Sequence, residues 1–114
     1  MTMTPSSVEP GRRFSCRRVQ DRDRARVVPH GELDLDTIGV VEQHLHDLRQ
    51  AGVREIVLDL RKLTFMDSSG LHAIFKAARL AKQDGASFVL IPGPRAIQRL
   101  FELTSARDHL TFRD

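Results

Sequence analysis

"EIVLDLRKLTFMDSSGLHAIFKAARLAKQDGASFVLI", residues 55–91, is the stretch on which the fold turns. Its opening alternates, with Ile56, Leu58 and Leu60 on one side and Glu55, Val57 and Asp59 on the other, the pattern of a strand buried mainly on one face. An apolar run then ends at Met66 in an acid, two hydroxyls and a glycine: Asp67, Ser68, Ser69 and Gly70. Leu71, Ile74, Phe75, Ala78 and Ala81 follow at helical spacing, and Gly85 stops that helix. Residues 87–91, "SFVLI", read as another strand. A strand, a helix and a second strand in this order make a right-handed crossover between parallel neighbours.

The same logic extends in both directions. Upstream, "GELDLDTIGVVEQHLHDLRQAG" places Ile38, Val41, Leu45 and Leu48 on one helical face, closed by Gly52. Before it, residues 14–19 and 26–30 are short strand candidates joined by the charged turn "QDRDRA", which lacks the glycine that favours a tight hairpin. Downstream, Pro94 opens a helix marked by Ile97, Leu100, Phe101 and Thr104, and "HLTF", residues 109–112, is a candidate final strand. The expected architecture is one α/β domain over residues 14–114 with a mixed, mostly parallel sheet and an N-terminal antiparallel edge strand. Residues 1–13 are polar, aperiodic and interrupted by proline, the composition of a flexible lead-in.

Composition narrows the possible functions. The chain has 114 residues, 40% of them hydrophobic, with six Phe and no Trp or Tyr, so its core is aliphatic. Cys16 is the single cysteine, which rules out an internal disulfide and suits a reducing cytoplasm. No stretch reaches membrane-spanning length, and residues 1–13 hold no apolar run of the kind that drives secretion. The formal charge is +3, with seven of eighteen basic residues between Arg12 and Arg26, yet Phe14 is the only aromatic nearby. That argues against stacking on nucleic acid. His44 and His46 stand two apart on a helix and point in different directions, a poor arrangement for a metal. No cofactor is expected.

The chemistry concentrates at "MDSSGL", residues 66–71. Asp67 or Ser68 can cap the helix that follows, accepting from amides that lack an intrahelical partner. The helix directs partial positive charge at whatever oxygen sits there, so a phosphate on Ser68, carrying roughly −1.5 to −2 charges, would be tolerated by the fold. Gly70 leaves space beside that oxygen for another molecule to approach. Spacing alone does not separate a capping serine from a switch serine. A serine hydrolase would want a Gly-x-Ser-x-Gly elbow, and a nucleotide hydrolase a glycine-rich loop ending in Gly-Lys-Ser/Thr; neither occurs.

"GELDLDTIGVVEQHL", the 55–91 segment and "PRAIQRLFELTSARDHLTF" together resemble the STAS domain family, in particular stand-alone bacterial anti-sigma factor antagonists, over residues 14–112. The resemblance implies a sheet with helices packed on one face. It also implies partner switching: the unphosphorylated form binds an anti-sigma factor with serine kinase activity and frees a sigma factor, the kinase phosphorylates the residue matching Ser68, and a serine phosphatase reverses this. By the same match Asp34, Asp67, Ser69 and Gly70 border the partner-binding surface. His72 and Lys76, followed by Arg79 and Gln83 along one side of the second helix, read either as an extension of that surface into a docking face or as a charged face kept for solubility. The resemblance leaves open a role as a STAS adaptor in a membrane-lipid transport or sensory complex. Ser105 departs from the family, standing where relatives often carry glycine.

Overall fold

The computed structural model describes residues 7–8, 14–104 and 108–113. Its strands are β1 (Ser7–Val8), β2 (Phe14–Asp21), β3 (Arg24–Leu33), β4 (Glu55–Asp59), β5 (Leu63–Met66) and β6 (Ser87–Ile91). Its helices are α1 (Ile38–Gln50), α2 (Ser68–Gln83) and α3 (Arg95–Glu102). The sheet runs β1-β2-β3-β4-β6, with β5 paired to β3 off this path. The β1-β2 and β2-β3 pairs are antiparallel; β3-β4, β3-β5 and β4-β6 are parallel.

The charged hairpin is tighter than its sequence suggests. Its strands reach Asp21 and Arg24, which pair with each other, and only Arg22 and Asp23 are left in the turn. Arg22 supplies the reversal itself at φ 59°, a conformation usually left to glycine or asparagine. The register is set, with Cys16 opposite Pro29. In the lead-in, Ser7 and Val8 pair with Cys16 and Ser15; the remainder of residues 1–13 and Ser105 lie outside the described residues.

Strand β5 is absent from the sequence reading, which ran the apolar stretch straight into the serines. Four residues with Leu63 and Met66 inside and Thr64 and Phe65 outside do not alternate, so no period marks them. What makes them a strand is β3, which pairs with β4 through Arg24–Val27 and then with β5 through Gly31–Leu33, a pairing whose register shifts once, between Gly31 and Glu32. The expected last strand at 109–112 reduces to one bridge, Phe112 beside Leu90. α3 ends at Glu102, so Thr104 falls beyond it and is exposed.

Alternation along the strands divides the sheet into two faces. Phe14, Cys16, Val27, Ile56, Leu58 and Leu90 point to one, where α1, α2 and α3 bring Ile38, Val41, Leu45, Leu48, Ile74, Ile97 and Phe101 into a single aliphatic cluster. Phe101 meets Phe112 edge to face, centroids 5.2 Å apart. Arg18, on the same face as Cys16, donates from Nη1 to the His44 carbonyl (3.3 Å) and to Asp47 Oδ2 (3.4 Å), tying β2 to α1. Burial pushes the Cys16 thiol up to about 12. His44 is also buried, and that burial lowers its pKa.

Candidate functional site

α2 starts abruptly because Asp67 is extended (φ −107°, ψ −171°) and caps the helix itself: its Oδ1 accepts from the Ser69 amide at 2.8 Å. The Asp67 amide donates to the Leu33 carbonyl at 3.2 Å, so the start of α2 is bound to the end of β3. Of the two capping candidates, then, Asp67 does the work. Ser68, the first residue of the helix, is exposed; Ser69 is half-buried.

Gly70 serves a different purpose from the one its position suggested. It is buried, and a Cβ there would lie 2.5 Å from Met66 Cγ, 3.0 Å from Met66 Sδ and 3.2 Å from Leu33 Cδ2. Its missing side chain lets the first turn of α2 sit down on Met66 and Leu33. The space it provides faces inward, so the expectation that Gly70 opens the surface to a partner is corrected: it seats the serine turn from beneath.

Asp34 is likewise committed within its own loop. Its Oδ1 accepts from the amides of Asp36 (3.0 Å) and Thr37 (3.1 Å), closing the turn that leads into α1. Thr37, fully buried, donates its hydroxyl to the Glu32 carbonyl at 2.8 Å and accepts from the Asp34 amide at 2.9 Å. This turn throws Leu35 outward, where it is 74% exposed. Leu35 is three residues before Ile38, in phase with the buried face of α1, so periodicity would have placed it inside; it escapes because the helix begins only at Ile38.

Leu35 and Ser68 meet across an open groove of about 790 Å³, lined also by Ile38, Glu42, Ser69, His72, Phe75, Lys76 and Arg79. Three of the four residues expected along the outer side of α2 therefore share a surface with Ser68; Gln83 does not line it. Phe75, read from sequence as a core residue, is half-buried and forms part of the wall. The groove offers apolar contact from Leu35, Ile38 and Phe75 and cationic groups from Lys76 and Arg79 against one carboxylate, Glu42.

The STAS domain pattern matches residues 18–114, which include every residue of this groove. The chain belongs to the STAS domain family. This STAS domain is 33% identical over 78 residues, 68% of the chain and 72% of the relative, to an anti-sigma-B factor antagonist of Staphylococcus aureus strain NCTC 8325. Its fold is similar to that of the unphosphorylated anti-sigma factor antagonist SpoIIAA, with TM-score 0.68 and 20% identity over 89% of this chain and 87% of that one. The phosphorylated form of the Bacillus cell fate determinant SpoIIAA is matched as well, with TM-score 0.68 and 19% identity over 89% and 91%. Among the described residues of this STAS domain, no helix is long and apolar enough to cross a membrane.

Proposed function

We propose that this STAS domain is an anti-sigma factor antagonist whose unmodified form binds an anti-sigma factor through the groove beside Ser68, and that phosphorylation of Ser68 releases that partner. In this reading the anti-sigma factor is itself the serine kinase, a serine phosphatase restores binding, and the domain has a regulatory role without catalysing a reaction. The observation that carries the proposal is the division of labour at the head of α2: Asp67 makes the cap, which leaves the Ser68 hydroxyl exposed and unneeded by the fold. The name of the Staphylococcus aureus relative supports the same function.

Physically, the switch is a matter of charge. A phosphate on Ser68 would lie where the helix dipole favours an anion, so the domain would keep its shape. The same dianion would stand next to the Asp67 carboxylate and project into the groove, where a partner carrying acidic or apolar groups would meet repulsion and a desolvation cost. A tenfold loss of affinity needs only about 1.4 kcal/mol.

The test is to incubate the domain with its cognate anti-sigma kinase and ATP, map the phosphate by mass spectrometry, and compare capture of the anti-sigma factor by the unmodified, phosphorylated and Ser68→Asp forms. One phosphate on Ser68, absent in Ser68→Ala, with capture only by the unmodified protein, is the expected result. Label that persists in Ser68→Ala, or equal capture by all forms, would refute it.

A further inference from the structure

Leu35 stands where the fold has no use for an apolar side chain. It is 74% exposed and belongs neither to β3, which ends at Leu33, nor to α1, which begins at Ile38. The bonds that hold the backbone on either side of it make no use of its side chain. Ahead of it the Asp34 amide donates to Thr37 Oγ1 at 2.9 Å, and behind it the amides of Thr37 and Ile38 donate to the Asp34 carbonyl at 3.1 and 2.8 Å. With Asp34 Oδ1 accepting from two further amide contacts and Thr37 buried, the turn is fixed and Leu35 is held outward by its neighbours.

Single exposed leucines are common on protein surfaces, but Leu35 does not stand alone. Ile38 and the half-buried Phe75 line the same groove, and so does Ser68, so the leucine carries an apolar wall out into solvent beside the hydroxyl. Leu103, 78% exposed just past the end of α3, has the same exposure but no place in that groove. An apolar side chain on a fixed backbone loses little freedom when it is bound, because only its own rotamers remain to be ordered. The flanking residues narrow what can cover it. Asp34 and Asp36 stand on either side, so an anionic lipid surface would meet their carboxylates, and a second copy docking by the same turn would bring the same pair against them.

We infer, resting on the function proposed for the Ser68 groove, that Leu35 is the apolar anchor by which this groove holds its anti-sigma factor, and that the partner presents a socket of aliphatic or aromatic side chains into which the leucine inserts. Ile38 and Phe75 would pack against the rim of that socket and exclude water around the anchor. Anchor and switch are then separate parts of one surface. Leu35 supplies affinity from the turn before α1, and Ser68, at the head of α2, decides whether that affinity is expressed. Removing the anchor should weaken the complex and leave the Ser68 hydroxyl as open to phosphorylation as before, whereas a phosphate should weaken it with the anchor intact.

The test titrates the whole chain with its cognate anti-sigma kinase in a calorimeter, as the parent, Leu35→Ala, Leu35→Met and Leu103→Ala. Leu35→Ala should weaken binding about tenfold or more. Leu35→Met, which keeps an apolar side chain of similar volume, should stay within about threefold, and Leu103→Ala within about twofold. All three variants should unfold at the urea midpoint of the parent, since neither leucine lies in the core. When the same kinase phosphorylates Ser68, Leu35→Ala should raise KM and leave kcat unchanged, as loss of a docking contact does. A parent that does not bind, or binds equally when Ser68 is phosphorylated, would refute the proposed function and the anchor with it. A parent that binds and is released by phosphorylation, while Leu35→Ala binds as tightly or Leu103→Ala loses as much, would overturn the anchor alone. Self-association in light scattering that Leu35→Ala abolishes would also overturn it, by giving the side chain to a second copy.

Discussion

Replacing Gly70 by alanine isolates the packing that seats the serine turn. In an ordinary helix interior this substitution would stabilise by up to about 1 kcal/mol, because alanine has the higher helix propensity. Here the new Cβ would stand 2.5 Å from Met66 Cγ, roughly 1 Å inside the 3.5–4.0 Å at which carbon atoms rest against each other. The contact is to the middle of the Met66 side chain, which is 3% exposed, and Leu33 behind it is 0% exposed, so neither can swing into solvent. Overpacking of this kind costs about 1–3 kcal/mol, and with the propensity gain set against it the net loss should be about 1–2 kcal/mol. For a domain of this length that lowers Tm by about 5–10 °C. Urea unfolding should show an earlier midpoint with an unchanged slope. Shortening the obstacle, in Gly70→Ala/Met66→Ala, should destabilise by less than the sum of the single variants, the departure from additivity being at least about 0.5 kcal/mol. A Gly70→Ala protein as stable as the parent, or strictly additive changes, would refute the packing argument.

Asp67→Ala removes the side-chain acceptor for the Ser69 amide and should destabilise by about 1 kcal/mol, measured by the same urea titration. His44 sets a dependence on pH: burial lowers its folded pKa below the ordinary value of 6.5, so the unfolded chain binds the proton first. Stability is therefore full above about pH 6.5 and falls as the pH drops through that value toward the lower folded pKa; His44→Gln should flatten the decline in unfolding midpoints between pH 7.5 and 5.5. Cys16, buried and with its thiol pKa raised to about 12, should resist a thiol reagent such as DTNB in the native protein and react fully once urea unfolds it.

Periodicity made α1, α2, α3 and β4 legible, with Ile38, Val41, Leu45 and Leu48 buried along α1 and Ile56 and Leu58 along β4, while β6 was marked by its short apolar run, in which the adjacent Val89 and Leu90 are both buried. Strand β5 stayed hidden because its burial follows from where β3 runs, a non-local fact. The serine junction was visible as a cluster of residue types, and Asp67 and Ser68 kept the parts their chemistry suggested, one as cap and one as exposed hydroxyl. Gly70 was misjudged because a missing side chain is compatible with an outward or an inward use, and only the position of Met66 decides which; the turn that Asp34 closes with the Thr37 amide was likewise not marked by any spacing. Leu35 was invisible as a surface residue because it shares the phase of the buried stripe while lying outside the helix.

Strand β3 exchanges one parallel neighbour for another between Val27 and Gly31, and the short strand it takes up there leads directly to Ser68. The tip that bears the hydroxyl thus hangs on its own few rungs, apart from the β3-β4-β6 ladder. Such a layout works like a tool head fitted to a standard handle: residues at the tip can be exchanged over generations to suit a new counterpart while the ladder that keeps the domain folded carries on unaltered.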